Sequence, residues 1–174
     1  STMFRTFRFR PKAKTPAAKP KPPRPRPSTT HDNHWWFEAL KEGRLQAQRC
    51  AQCGELRFPT GPMCASCRSL AWNPVDMPMA GTIHSHVITH YPQVPSFDYP
   101  LPVLLVDLDP DPNGRADDRP VRLVVNTIDN SLDGIEVGAR VRIEIRKCDD
   151  DLSLPFAVVD ATTSTSTTTK GGAR

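Results

Sequence analysis

Cys50-Ala-Gln-Cys53-Gly54 and Cys64-Ala-Ser-Cys67 are the two stretches from which the fold of this 174-residue chain can be read. Each Cys-x-x-Cys turn aims two thiolates at one point. The ten residues between the pairs suffice for a short hairpin that brings the two turns together. Four thiolates at roughly 2.3 Å complete the tetrahedral shell of Zn²⁺ and leave no open coordination position. Cys50, Cys53, Cys64 and Cys67 are therefore the candidate ligands of a structural metal, and the function has to be sought elsewhere in the chain. Two disulfides or a redox-active pair are the competing uses of these cysteines, and iron in a rubredoxin-like site takes the same ligands.

Upstream of the first pair, Asp32 or Asn33 can cap a short helix carrying Trp35, Trp36, Phe37, Ala39 and Leu40, with Gly43 ending it in a left-handed turn. Residues 44–49 alternate and lead into the first knuckle as a strand, and Leu56-Arg57-Phe58 returns from it. Beyond Trp72 the pattern is all-β. Residues 81–89, 103–108, 121–127, 141–145 and 154–159 read as five short strands joined by Gly/Pro/Asp-rich connections. Five such strands are what a small Greek-key barrel of the OB type requires, whereas a sandwich usually needs more. The expected class is mainly β: an N-terminal helix, a rubredoxin-like zinc ribbon, then a five-stranded OB-fold barrel. The divisions follow as 31–72 for helix and ribbon and 73–160 for the barrel.

Outside these limits the sequence changes character. Residues 1–10 alternate apolar and basic side chains like the last strand of a preceding domain; a basic arm for phosphate or partner binding is the rival. Residues 11–30 form a Pro/Lys-rich linker, expected to be extended, solvated and semi-rigid. Residues 161–174, rich in Thr, Ser and Gly, are expected to be disordered. The net charge of +4 divides unevenly: residues 1–30 hold nine Lys/Arg and no acid, which leaves 14 basic and 19 acidic residues in 31–174. The basic character belongs to the leader and the body is acidic, which argues against nucleic acid as a partner. Cys148 is an unpaired fifth cysteine after an alternating apolar run, expected to be a buried or half-buried inert thiol. No stretch approaches a membrane span or a signal-peptide core, so a cytoplasmic location is expected.

The order of elements resembles a known family, the rubredoxin-like zinc-ribbon plus OB-fold family of acyl-CoA-associated proteins long labelled a domain of unknown function. The resemblance is carried by Trp36-Phe37-Glu38-Ala39-Leu40-Lys41-Glu42-Gly43-Arg44-Leu45, Gln48-Arg49-Cys50, Cys53-Gly54, Arg57-Phe58-Pro59, Pro62, Cys64 and Cys67. It continues in Gly81, Val137-Gly138-Ala139-Arg140-Val141 and Leu154-Pro155-Phe156. The linker and strand remnant look like the C-terminal half of an actinobacterial steroid side-chain protein in which a MaoC-type enoyl-CoA hydratase domain precedes this module. What that resemblance implies is an acyl-CoA-handling subunit, working beside a thiolase-like, lipid-transfer-protein-like partner. Together they would form a retro-aldolase that cleaves a 17-hydroxy steroid acyl-CoA to a 17-keto steroid and propionyl-CoA. A nucleic-acid-binding module and a rubredoxin-like electron carrier are the alternative functions.

A retro-aldol step needs a base for the β-hydroxyl proton and a group that stabilises the enolate. His84, His86 and His90 share the even-numbered positions of one strand and are the local candidates. The resemblance instead places the acid/base residues on the partner, leaving these histidines on a solvent or partner face. Asp107, Asp109, Asp111, Asn113 and Gly114 echo a calcium loop. However, Pro112 stands where such a loop needs glycine and Asp118 where it needs glutamate, so a polar hairpin tip is expected. Trp35, Trp36 and Phe37 are adjacent, and one helix cannot bury all three on one face; with Tyr91 and Phe97, from a Pro-rich loop, they are the candidate substrate or partner contacts. Tyr99 is equally well explained by core packing. Arg57 and Arg68 flank the ribbon, where they can meet CoA phosphates or simply solvent.

Overall fold

The computed structural model describes residues 20–160. The strand expected in 1–10, the first part of the linker and the tail 161–174 lie outside the described residues.

The helix α1 (His34–Lys41) turns Ala39 and Leu40 inward. Asn33 is its N-cap, but its side chain accepts the Thr30 N–H at 2.7 Å and makes no bond to the helix backbone. At the other end Gly43 takes a φ of +77°, a conformation that glycine adopts without steric cost, and Arg44 donates its N–H back to the Ala39 carbonyl at 2.9 Å. The chain then enters a three-stranded antiparallel sheet of β1 (Gln46–Cys50), β2 (Leu56–Arg57) and β3 (Trp72–Asp76), in the order β2-β1-β3. β1 is central, which is why a run as polar as Gln-Ala-Gln-Arg-Cys is nearly all buried. Each buried amide has a partner: Gln46 donates to Asp76, and Gln48 accepts the Gly61 N–H at 2.9 Å. β3 is absent from the sequence expectation because Pro74 interrupts its pattern. The proline is tolerated because β3 pairs on one side only, with β1. β3 begins at residue 72 and stays in the ribbon sheet; the three residues after Asp76 then carry the chain into the barrel.

The barrel consists of β4 (Ala80–Thr89), β5 (Leu101–Leu108), β6 (Arg122–Thr127), β7 (Arg140–Lys147) and β8 (Ser153–Val159). It is closed in the order β4-β5-β6-β8-β7, with one parallel pairing, β6 with β8. The five expected strands are all present. Along β5 the alternation is strict, Pro102, Leu104, Val106 and Leu108 pointing in. Closure demands a glycine at position 81: a Cβ there would lie 2.3 Å from the Asp107 carbonyl oxygen. The core is shared, because Leu40, Leu45, Ala47 and Met77 belong to the same apolar cluster as Ile83, Leu104, Val125, Val141 and Ala157 of the barrel.

Three expectations need correction. The register of β4 against β5 shifts between Ile83 and Ser85, a β-bulge that inverts the facing of everything after it. Ile83 faces inward opposite Val106, Val87 ends up 60% exposed, and His84 and His86 do not share a face. Cys148 is exposed, because β7 has ended at Lys147 and the thiol sits on the following turn. Finally, residues 20–30 do not run free through solvent. Although mostly exposed, they lie against the barrel: Lys21 pairs with Asp98, Arg24 donates to the Asn126 side chain at 2.6 Å, and Arg26 makes a two-pronged contact with Asp149. No helix among the described residues is long and apolar enough to cross a membrane.

The close approach at Gly81 makes a direct prediction. Gly81→Ala forces backbone of β5 to move and should cost about 1–3 kcal/mol in urea unfolding. Gly61→Ala, where an added Cβ meets nothing within 4 Å, should stay within about 0.5 kcal/mol of the parent.

Candidate functional site

β1 delivers Cys50 to the end of the ribbon sheet, and the two Cys-x-x-Cys turns are built alike. In the first, the Gly54 N–H returns to the Cys50 carbonyl at 3.0 Å; in the second, the Arg68 N–H returns to the Cys64 carbonyl at 2.9 Å. Gly54 and Arg68 both take positive φ, 74° and 63°. The four sulfurs lie within 4.8 Å of one another, with Cys50–Cys67 at 3.5 Å and Cys53–Cys64 at 3.6 Å. A tetrahedral zinc–thiolate shell needs sulfurs about 3.8 Å apart, so the donor set fits the ion in both number and spacing. The backbone is arranged for thiolates as well. The Cys50 thiol is lowered to about 6, first by the Cys53 N–H, and the Cys64 thiol is lowered first by the Cys67 N–H. Cys50 and Cys64 are buried, Cys53 and Cys67 only partly. Four close cysteines in a ribbon of this kind suggest a structural metal.

The ribbon is clamped to the barrel by a residue that sequence reasoning missed. Arg49, on β1, sends Nη1 to the Gly54 carbonyl at 3.0 Å and to Asp118 Oδ1 at 3.1 Å, and Nη2 to Asp118 Oδ2 at 2.9 Å and Asp111 Oδ2 at 3.2 Å. Arg115, from the same β5–β6 loop, donates to the Cys53 carbonyl at 2.9 Å. The hairpin tip that echoed a calcium loop is thus a set of carboxylates already occupied by cations. Asp111 and Asp118 hold Arg49, Asp109 makes a two-pronged pair with Arg140 at 2.6 and 2.7 Å, and Asp107 receives Arg122. Hydrogen bonding from Arg49 holds the Asp118 carboxyl below its usual range, and Arg140 does the same for Asp109. A signal was available in the sequence: an arginine directly before the first ligand, with a surplus of aspartates in one loop.

The histidines do not form a centre. His84 Nδ1 lies 2.9 Å from Asp107 Oδ2, His86 is exposed opposite Leu104, and His90 is exposed beyond the end of β4. Among the described residues the four cysteines are the one cluster able to hold a metal. The aromatic candidates separate. Trp35 packs on Trp72 with ring centroids 4.7 Å apart, and Tyr91 is 81% exposed on its loop. Trp36, Phe37 and Phe97 come together in the wall of a groove of about 490 Å³, bounded by barrel residues Leu101, Val103 and Val124. Trp36 is fixed there by its indole N–H, which donates to the Gln46 carbonyl at 3.0 Å. Arg57 lies in a second cleft beside the ribbon; its guanidinium nitrogens are covered and have no hydrogen-bond partner among the described residues. Arg68 serves the second knuckle through its backbone.

A four-cysteine rubredoxin-like ribbon packed on a closed five-stranded barrel defines the class of this protein. The family model for the ChsH2 rubredoxin-like zinc ribbon domain matches residues 37–73. A solved structure titled "Ltp2-ChsH2(DUF35) aldolase" is similar over 76% of this chain and 97% of its own, at 39% identity and a TM-score of 0.65. The chain belongs to this ChsH2/DUF35 zinc-ribbon and OB-barrel family. It is also 40% identical over 153 residues to a Thermomonospora curvata protein named "Probable enoyl-CoA hydratase alpha subunit". Over 82 residues it is 33% identical to the Mycobacterium tuberculosis "3-oxo-4,17-pregnadiene-20-carboxyl-CoA hydratase alpha subunit". The chain spans 45% and 26% of the lengths of these two relatives.

Two predictions follow from the site's geometry. Cys50→Ser or Cys64→Ser should release the metal and lower the melting temperature. Elemental analysis of the parent chain should give one zinc per polypeptide, and no visible thiolate-to-iron absorption. For the clamp, a carboxyl held low in the folded state stabilises fully above its unfolded value of about 3.9 and loses that contribution as pH falls through the folded value. Arg49→Gln should therefore cost about 2–3 kcal/mol near neutrality. The gap between variant and parent in urea unfolding should close below about pH 4.

Proposed function

We propose that this chain is the acyl-CoA-handling subunit of a retro-aldolase. Its partner would be a thiolase-like, lipid-transfer-protein-like chain, and its zinc structural. The observation that carries the reading is the likeness over nearly the whole ChsH2 chain of a two-component aldolase, at 39% identity. The proposed substrate is the CoA thioester of a 17-hydroxy steroid side chain. A base takes the hydroxyl proton, and the bond between the carbinol carbon and the thioester α-carbon breaks. Its electron pair becomes the thioester enolate, and protonation of that enolate gives propionyl-CoA beside the 17-keto steroid. The relative acting on a pregnadiene carboxyl-CoA supports the steroid class. The two hydratase alpha subunits of greater length support a MaoC-type hydratase domain preceding this module in the full protein, and a cytoplasmic setting suits that chemistry.

The division of labour follows from what the chain lacks among its described residues. A closed four-thiolate shell offers substrate no coordination position, and His84, His86 and His90, the last beyond the end of β4, line no common groove among those described. The base is therefore assigned to the partner, and this chain to binding and orientation. The test is reconstitution: the isolated chain should leave the β-hydroxyacyl-CoA intact, and mixing it with the thiolase-like protein should release propionyl-CoA. Sustained cleavage by this chain alone would overturn the assignment.

A further inference from the structure

The proline-rich segment does more than space one unit from another. Of the three cations in residues 20–30, Lys21 is matched by Asp98 and Arg26 by Asp149 and Asp151. Arg24 has no acidic partner among the described residues. Its guanidinium stands 4.9 Å from the centroid of Phe97 and 5.3 Å from that of Phe156, and only Nη2 is used, in the bond to Asn126 Oδ1. Asn126 is itself anchored, its amide donating to the Pro102 carbonyl at 2.8 Å. The prolines at 22, 23, 25 and 27 restrict the backbone on both sides, so the guanidinium is held in place at small entropic cost. Four or so of its donors remain available beside a groove of about 490 Å³. That volume lies within the range of roughly 300–1,000 Å³ typical of small-molecule sites, which pair apolar walls with a few placed polar groups. The walls here are Trp36, Phe37, Val103, Val124 and Pro155, and Val124 is 65% exposed, a large apolar side chain left open on a strand face.

We propose that this groove binds an amphipathic anion, an apolar body bearing one carboxylate or phosphate head, and that Arg24 of the strap receives the head. Charge selects the occupant: a purely apolar partner would leave the one unmatched strap cation beside it, whereas an anionic head completes it with charge-assisted hydrogen bonds. The body then covers Val124 and Val103 beside the indole of Trp36. Asn126 is a positioning residue, holding the guanidinium toward the groove. The site does not rest on the aldolase assignment. It is assayed by binding to the chain alone, while that assignment depends on turnover with the partner.

Calorimetric titration of the whole chain with decanoate, decyl phosphate and decanol tests it. One of the two anions, or both, should bind about tenfold or more tighter than decanol, the contribution of hydrogen bonds to a charged group. The stronger anion identifies the head chemistry. Arg24→Gln should remove that preference and leave the decanol affinity in place, and Val124→Asp, on an exposed position, should abolish all binding with an unchanged melting temperature. Equal affinity for decanol and both anions would overturn the proposal. So would an anion preference that survives Arg24→Gln, or self-association of the parent that Val124→Asp disrupts, which would make the groove an interface between two copies.

Discussion

Arg49 sits where three requirements meet. It precedes the first metal ligand, it lies in the central strand of the ribbon, and its guanidinium spans the Gly54 carbonyl of the first knuckle and the carboxylates of Asp111 and Asp118 in the barrel's β5–β6 loop. A planar fork with several donors can satisfy acceptors on two elements at once; a lysine at this position could not reproduce that geometry. With its side chain 19% exposed and the Asp118 side chain 9%, the pair is well shielded from water, and losing either member would strand the other. The orientation of the knuckle relative to the barrel, and of the ribbon face bearing Arg57, depends on this contact.

Much of the fold was legible in the sequence because it was written in patterns with a physical cause. The Cys-x-x-Cys turns announce the ribbon, Gly43 marks the helix end through its positive φ, and the period-two runs announce all five barrel strands. What escaped was whatever a local pattern cannot carry. β3 was hidden by Pro74, because whether a strand lies at a sheet edge is a tertiary fact. The bulge after Ile83 adds a single residue, so His84 and His86 do not share the face that the plain alternation implies. Cys148 followed an apolar run and was expected inside, yet the strand stops one residue short of it.

The site was legible in unequal measure for a similar reason. The thiolates are paired by spacing alone, and their four sulfurs converge. The aromatic candidates were correctly suspected of being more than one helix face can bury, but their destinations were decided by distant residues. Trp72 takes Trp35, while Phe97 arrives beside Trp36 and Phe37 from a loop some sixty positions away. The basic leader was read as a property separate from the acidic body. In the described part of it, Lys21 and Arg26 meet carboxylates of that body, and Arg24 leans on its rings.

The apolar cluster shared by helix, ribbon and barrel has a thermodynamic consequence. Leu45 and Ala47 on one side and Leu104 and Val141 on the other shield each other from water, so neither half retains a complete interior once its neighbour melts. Free energy from a metal bound by the knuckles is then not confined to the ribbon; it enters the unfolding equilibrium of the barrel as well, as for any ligand that binds only the folded state. Ribbon and barrel, distinct in architecture, share one interior, so a metal held by the knuckles would help set the persistence of a β-surface that touches no metal.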